Sequence, residues 1–99
     1  MSLGQETVRQ ICEEAEKAAR KFIFSKVKKR YIRNLIVEVL AEQSEEQGLQ
    51  FTVSIELDVH PIFRGEIKKL VDEATNVALK VIDNNMKVLK HEEKASQRT

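Results

Sequence analysis

The sequence predicts a small α+β domain of order α-β-β-α, in which two helices pack on one face of an antiparallel β-hairpin. Three observations carry that prediction. From Leu49 to Val59 the chain alternates without a break, apolar at 49, 51, 53, 55, 57 and 59 and polar between. Period two is the signature of a strand with one buried and one wet face. Stretches on either side of the central region repeat their apolar residues at helical spacing instead. A polar segment ending in Gly48 separates the alternating strand from a second β-branched run, as a hairpin requires.

In chain order, residues 3–27 read as the first helix. Val8, Ile11, Cys12, Ala15, Ala18, Ala19, Phe22 and Ile23 form one stripe, and Glu6, Arg9, Glu13, Glu16, Lys17 and Arg20 the other side. Ser2 followed by Gln5 fits a capping box. The first strand is expected from Tyr31 to Glu42. Leu35, Val37, Val39 and Ala41 point to one face, with Ile32, Ile36 and Leu40 apolar on the other. Gln43–Gly48 is the hairpin loop. His60-Pro61 ends the second strand, because Pro offers no donor to continue a ladder. A long helix follows from about Phe63 to about Lys90. Its stripe holds Ile67, Leu70, Val71, Ala74, Val77, Ala78, Val81, Ile82, Asn85 and Leu89. The expected domain is thus 4–90, with a disordered charged tail over 91–99.

Length and composition bound the function classes. Ninety-nine residues suit one domain, and 41% apolar residues supply a modest core. Seventeen Lys and Arg stand against 16 Asp and Glu, for a net charge of +1. That balance argues for no generic nucleic-acid or membrane partner, so any binding electrostatics must be local. A charged content of 33% without Trp resembles heat-adapted compositions. No stretch approaches the roughly 20 apolar residues of a membrane span. Cys12 is the only cysteine, and the N-terminus carries no secretory pattern. A cytoplasmic location is therefore expected.

No residue set announces a reaction. Cys12 lies on the apolar stripe, where a free thiol is a small core residue. His60 and His91 match no zinc spacing with it. Glu13, Glu14, Glu16, Asp72 and Glu73 lie on wet helix faces rather than converging in a cleft. The expectation is a protein without enzymatic activity, metal or cofactor. Three features remain as binding candidates. Ile32, Ile36 and Leu40 form an apolar strip that a monomer would leave wet beside unpaired strand edges. Arg64 and Gly65 combine a guanidinium suited to a carboxylate or phosphate with a residue that permits close approach. Lys26, Lys28, Lys29, Arg30, Tyr31 and Arg33, preceded by Lys21, form the densest cationic run, uninterrupted by acid from 17 to 37. It suits RNA phosphate, with Tyr31 available for stacking. It also suits a solvated helix end that complements the dipole, the commoner role of a basic run.

The stretch Leu49–Leu89 resembles the C-terminal half of the small dimerising subunit of the KEOPS complex, which makes the threonylcarbamoyl modification of tRNA. That family places an aliphatic-Arg-Gly step near the start of its long helix, and Phe63-Arg64-Gly65 looks like it. Where the family continues with Asn-Ser, this chain has Lys68-Lys69, and it has no strand before its first helix. The chain is also similar to a group of small archaeal proteins of unknown function with this length and layout. The open edges and the wet apolar strip predict that a second chain, identical or not, extends the sheet, and the resemblance implies a non-catalytic accessory subunit that dimerises through its sheet and long helix within a tRNA-modifying complex. A small RNA-binding module using residues 21–33, with tRNA a candidate ligand, is the alternative.

Overall fold

Ile11, Ala15, Ala19 and Ile23 recur every fourth residue and are all buried, and they define the inner face of helix α1, Gln5–Lys26. A computed structural model describes residues 4–97, with side chains for 4–89. Gly4 is the N-cap of α1 and no side chain caps its first turn. Gln5 opens the helix instead of standing at its third position, where a capping box would need it. Ser2 lies outside the described residues. The outer face of α1 carries Arg9 between Glu6 and Glu13, at 2.6 and 3.2 Å, and Arg20 on Glu16 at 3.0 Å. These are helical neighbours in register to pair.

Val27 closes α1, its N–H donating to the carbonyl of Ile23 at 2.8 Å, and its own backbone is already extended. A short 3-10 helix, Lys29–Tyr31, then turns the chain into the sheet. Strand β1 is Ile32–Ser44 and β2 is Gly48–Val59, paired antiparallel. The hairpin loop is tighter than the sequence suggests, because Ser44 pairs with Gly48 and only residues 45–47 turn. Gly48 takes φ +71°, a left-handed conformation that β-branched residues resist. The Ser44 hydroxyl accepts from the Gln47 N–H at 3.1 Å and holds the turn.

One feature of β1 corrects the sequence reading. Simple alternation places Ile32 with Ile36 and Leu40 on the outer face. In the ladder Ile32 lies opposite Val59 and Asn34 opposite Asp58, so Arg33 is an extra residue on β1. A bulge of one residue reverses the parity of everything before it. Ile32 consequently packs against the core, and Ile36 and Leu40 alone of the three face outward.

Helix α2, Ile67–Gln97, begins with the Glu66 carbonyl accepting from the Leu70 N–H at 3.1 Å. It starts four residues later than the pattern suggests, which leaves Phe63, Arg64 and Gly65 in the preceding loop rather than in a first turn. It also continues past Lys90. The tail expected over 91–99 falls on residues whose side chains lie outside those described. Both helices lie on the inner sheet face. Ala74, Ala78 and Ile82 of α2 meet the inner stripe of α1, and the alanines at 15, 19, 74 and 78 are fully buried. Small residues at this seam let the helix axes approach closely. Val37 and Val39 complete the buried layer. Phe51, Val53, Ile55 and Leu57 of β2 pack against it half-buried. The molecule is a rod of 59 × 23 × 20 Å.

Candidate functional site

Two surfaces collect the candidate residues. The first is the outer face of the hairpin. Pairing sets Ile36 beside Glu56, Glu38 beside Ser54, Leu40 beside Thr52 and Glu42 beside Gln50. Ile36 is 44% and Leu40 53% exposed, with Glu38, Glu42, Glu56 and Asp58 around them. Both strands are edges, and they are 13 and 12 residues long, against a usual five or six. Ile32 does not belong to this face, because the bulge at Arg33 turns it towards the core.

The second surface is the end of the rod where α1 stops and α2 starts. Because Ile32 pairs with Val59, the residues just before β1 and just after β2 must be neighbours. The His60 N–H donates to the Tyr31 carbonyl at 2.7 Å, and the Phe63 N–H donates to the His60 carbonyl at 3.0 Å. His60 Nδ1 also accepts from the Ile62 N–H at 3.1 Å. This loop delivers Arg64 to the basic segment. An open groove of about 550 Å³ is lined by Lys26 from α1, Phe63, Arg64 and Gly65 from the loop, and Lys69 and Glu73 from α2. The two candidate sets, 26–33 and 64–65, thus form one surface. The clue was available in the sequence, since a hairpin returns the chain to its starting point. Lys69 carries no signal of its own in the sequence, because Lys26 across the groove lies some forty positions away.

The cations here stand over rings. Arg30 lies 5.1 Å from the Tyr31 ring centre, Lys29 5.4 Å from Phe24 and Lys26 5.8 Å from Phe22. Arg30 Nη2 also donates to the Tyr31 hydroxyl at 3.4 Å. Lys28 and Arg33 are exposed. Among the described residues, the ion pairs are those of Arg9 and Arg20, so none neutralises this end. Gly65 has a local explanation. A Cβ there would lie 2.5 Å from Cζ and 2.7 Å from Cε1 of Phe63, so the close approach it permits is that of the Phe63 ring.

The opposite end is acidic. Gln5, Val8 and Arg9 share a groove with Ala41, Gln43 and Leu49, which places the start of α1 beside the hairpin tip with Glu42, Glu45 and Glu46. Elsewhere the chemistry is sparse. Burial, with a smaller effect from Glu16, pushes the Cys12 thiol above its ordinary range, away from nucleophilic use. Among the described residues, no group of three or more His, Cys, Asp or Glu could hold a metal ion. No helix is long and apolar enough to cross a membrane, among the described residues.

Two solved structures share the architecture. The crystal structure of a protein from Thermococcus onnurineus NA1 superposes with a TM-score of 0.80 at 20% identity, over 92% of this chain and 86% of that one. The solution structure of the hypothetical protein mth677 from Methanothermobacter thermautotrophicus gives 0.74 at 21% identity, over 85% and 89%. At these identities the likeness is one of fold. No functionally curated protein matches the chain. These comparisons support the small archaeal group and give no support to the KEOPS resemblance. The family described as "Protein of unknown function (DUF3194)" matches residues 1–85, and the chain belongs to it.

Proposed function

We propose that the protein is a non-catalytic assembly protein that pairs with a second copy of itself through the open β1 edge of its hairpin. The observation that carries this is the exposure of Ile36 and Leu40 on a two-stranded sheet with both edges open. Covering the face with an identical face would oppose Glu38, Glu42, Glu56 and Asp58 to their own copies. Joining two β1 edges antiparallel avoids most of that repulsion. It sets Ile36 opposite Leu40 of the second copy when the two-fold axis passes near Glu38. It also runs the basic start of one β1 alongside the acidic hairpin tip of the other, so the rods meet with complementary charge. Two-fold symmetry is the commonest arrangement for identical chains. A tRNA-modifying setting for such a subunit has the resemblance over 49–89 as its support.

Sedimentation equilibrium at micromolar concentration tests the proposal. Wild type should show the dimer mass, and Leu40→Lys should shift it towards monomer. Glu38→Gln should tighten the dimer, because like charges directly opposite on paired strands cost up to about 1 kcal/mol. A clean monomer mass for wild type would remove the reading.

A further inference from the structure

We propose that the basic end of the rod binds single-stranded nucleic acid, and that Arg64 and Lys69 belong to the site as fully as the run from Lys26 to Arg33. Three independent features lead there. The first is geometry. The hydrogen bond from His60 to Tyr31 pins the α2-leading loop onto the basic segment, and Lys26 lines one groove with Arg64 and Lys69. The second is unneutralised charge. Residues 21–33 hold six cations and no carboxylate, and no ion pair among the described residues involves them. Glu66 and Glu73 at the groove reduce this excess without cancelling it. A polyanion with regularly spaced charges suits such a surface better than one compact anion.

The third feature is the rings. Phe24 is 40% exposed beneath Lys29, and Tyr31 lies under the Arg30 guanidinium. A base stacks on a ring or on a guanidinium plane, and a cation beside the stack meets the following phosphate. Duplex bases are already stacked and present no free face to these rings. A lipid surface would call for rings that project beyond their cations, whereas here the cations lie over the rings.

Fluorescence anisotropy with a short mixed-sequence RNA, the same sequence as single-stranded DNA, its duplex, and phosphatidylserine vesicles tests this on the full chain. Binding to either single strand supports the proposal, and the comparison shows whether the 2′-hydroxyl matters. Arg64→Glu with Lys69→Glu should weaken binding at least roughly tenfold and reduce the log–log salt slope by about 1.4, at about 0.7 per phosphate contact. Lys28→Glu with Arg30→Glu should do the same, and Phe24→Ala should cost roughly fivefold through lost stacking. All five positions are exposed, so an unchanged urea midpoint is expected and separates lost binding from lost folding. Wild-type affinity in the Arg64/Lys69 double variant would overturn the composite site. Absence of single-strand binding, or equal binding to duplex or vesicles, would overturn the ligand class. Carried out at protein concentrations where sedimentation shows monomer, these readouts stand apart from the pairing proposal.

Discussion

Replacing Ile23 by Ala is the sharpest test of which surfaces this fold buries. Ile23 is fully buried in α1, between the alanine seam and the inner sheet face. The substitution removes three carbons and leaves the Cβ. At about 0.8 kcal/mol per buried methylene, the transfer loss alone is about 2.4 kcal/mol. The rigid walls collapse only partly, so a cavity cost is added and the expected total is about 2–5 kcal/mol. Against a total stability of about 5–15 kcal/mol, that is a large fraction. The control is Ile36→Ala, the same chemistry at a residue 44% exposed on the outer face. It should cost under about 1 kcal/mol, mostly as lost strand preference. Urea unfolding followed by circular dichroism gives both numbers, measured dilute enough that sedimentation shows monomer. A cost at Ile36 equal to that at Ile23 would mean that the wrong sheet face has been placed against the helices.

Further outcomes follow from other sites. Cys12 has its thiol raised by burial, so its alkylation by iodoacetamide at neutral pH should be slower than that of an unfolded cysteine peptide, and equal rates would contradict the packing of α1. Because the raised value favours the neutral thiol in the fold, the associated stability is present below the ordinary thiol value and is lost as pH rises from there through the raised value of the fold. Gly65→Ala forces only the movable Phe63 ring to shift, so the urea midpoint should report a loss under about 1 kcal/mol. A larger loss would show that the loop backbone itself is held there.

Much of this fold was legible because each element has one strong period. Unbroken alternation gave β2, and the four-residue recurrence of Ile11, Ala15, Ala19 and Ile23 gave α1. Reading failed where a single backbone event reset the count. The Arg33 bulge moves Ile32 across the sheet, and nothing in an Ile-Arg-Asn step announces an extra residue. The turn at Lys29–Tyr31 was hidden for a similar reason, since a cationic run has no apolar period to break. The start of α2 shifted because Phe63 satisfies a helical stripe while its ring in fact covers Gly65. The basic segment and Arg64 stand apart as separate candidates in the sequence, because their union depends on strand pairing rather than on spacing along the chain.

The net charge of +1 conceals a polar molecule, and this couples the two proposed surfaces. Lys26 to Arg33, Arg64 and Lys69 occupy one pole, and Glu42, Glu45 and Glu46 the other. In an antiparallel pairing of β1 edges, Arg30 and Arg33 of one copy run beside the acidic tip of the second. A single strand of nucleic acid would compete for the same two arginines with a denser line of charge. Ligand and second copy should therefore weaken each other, and by the same factor in both directions. Sedimentation of wild type with and without a saturating short single-stranded RNA should show a weaker dimer when the RNA is bound. Leu40→Lys, dissociated but unchanged at the basic end, should in turn bind the RNA more tightly than wild type. If the dimer constant stays the same with RNA bound, the arginines are not at the strand contact, and the antiparallel β1 pairing is wrong even where a dimer exists.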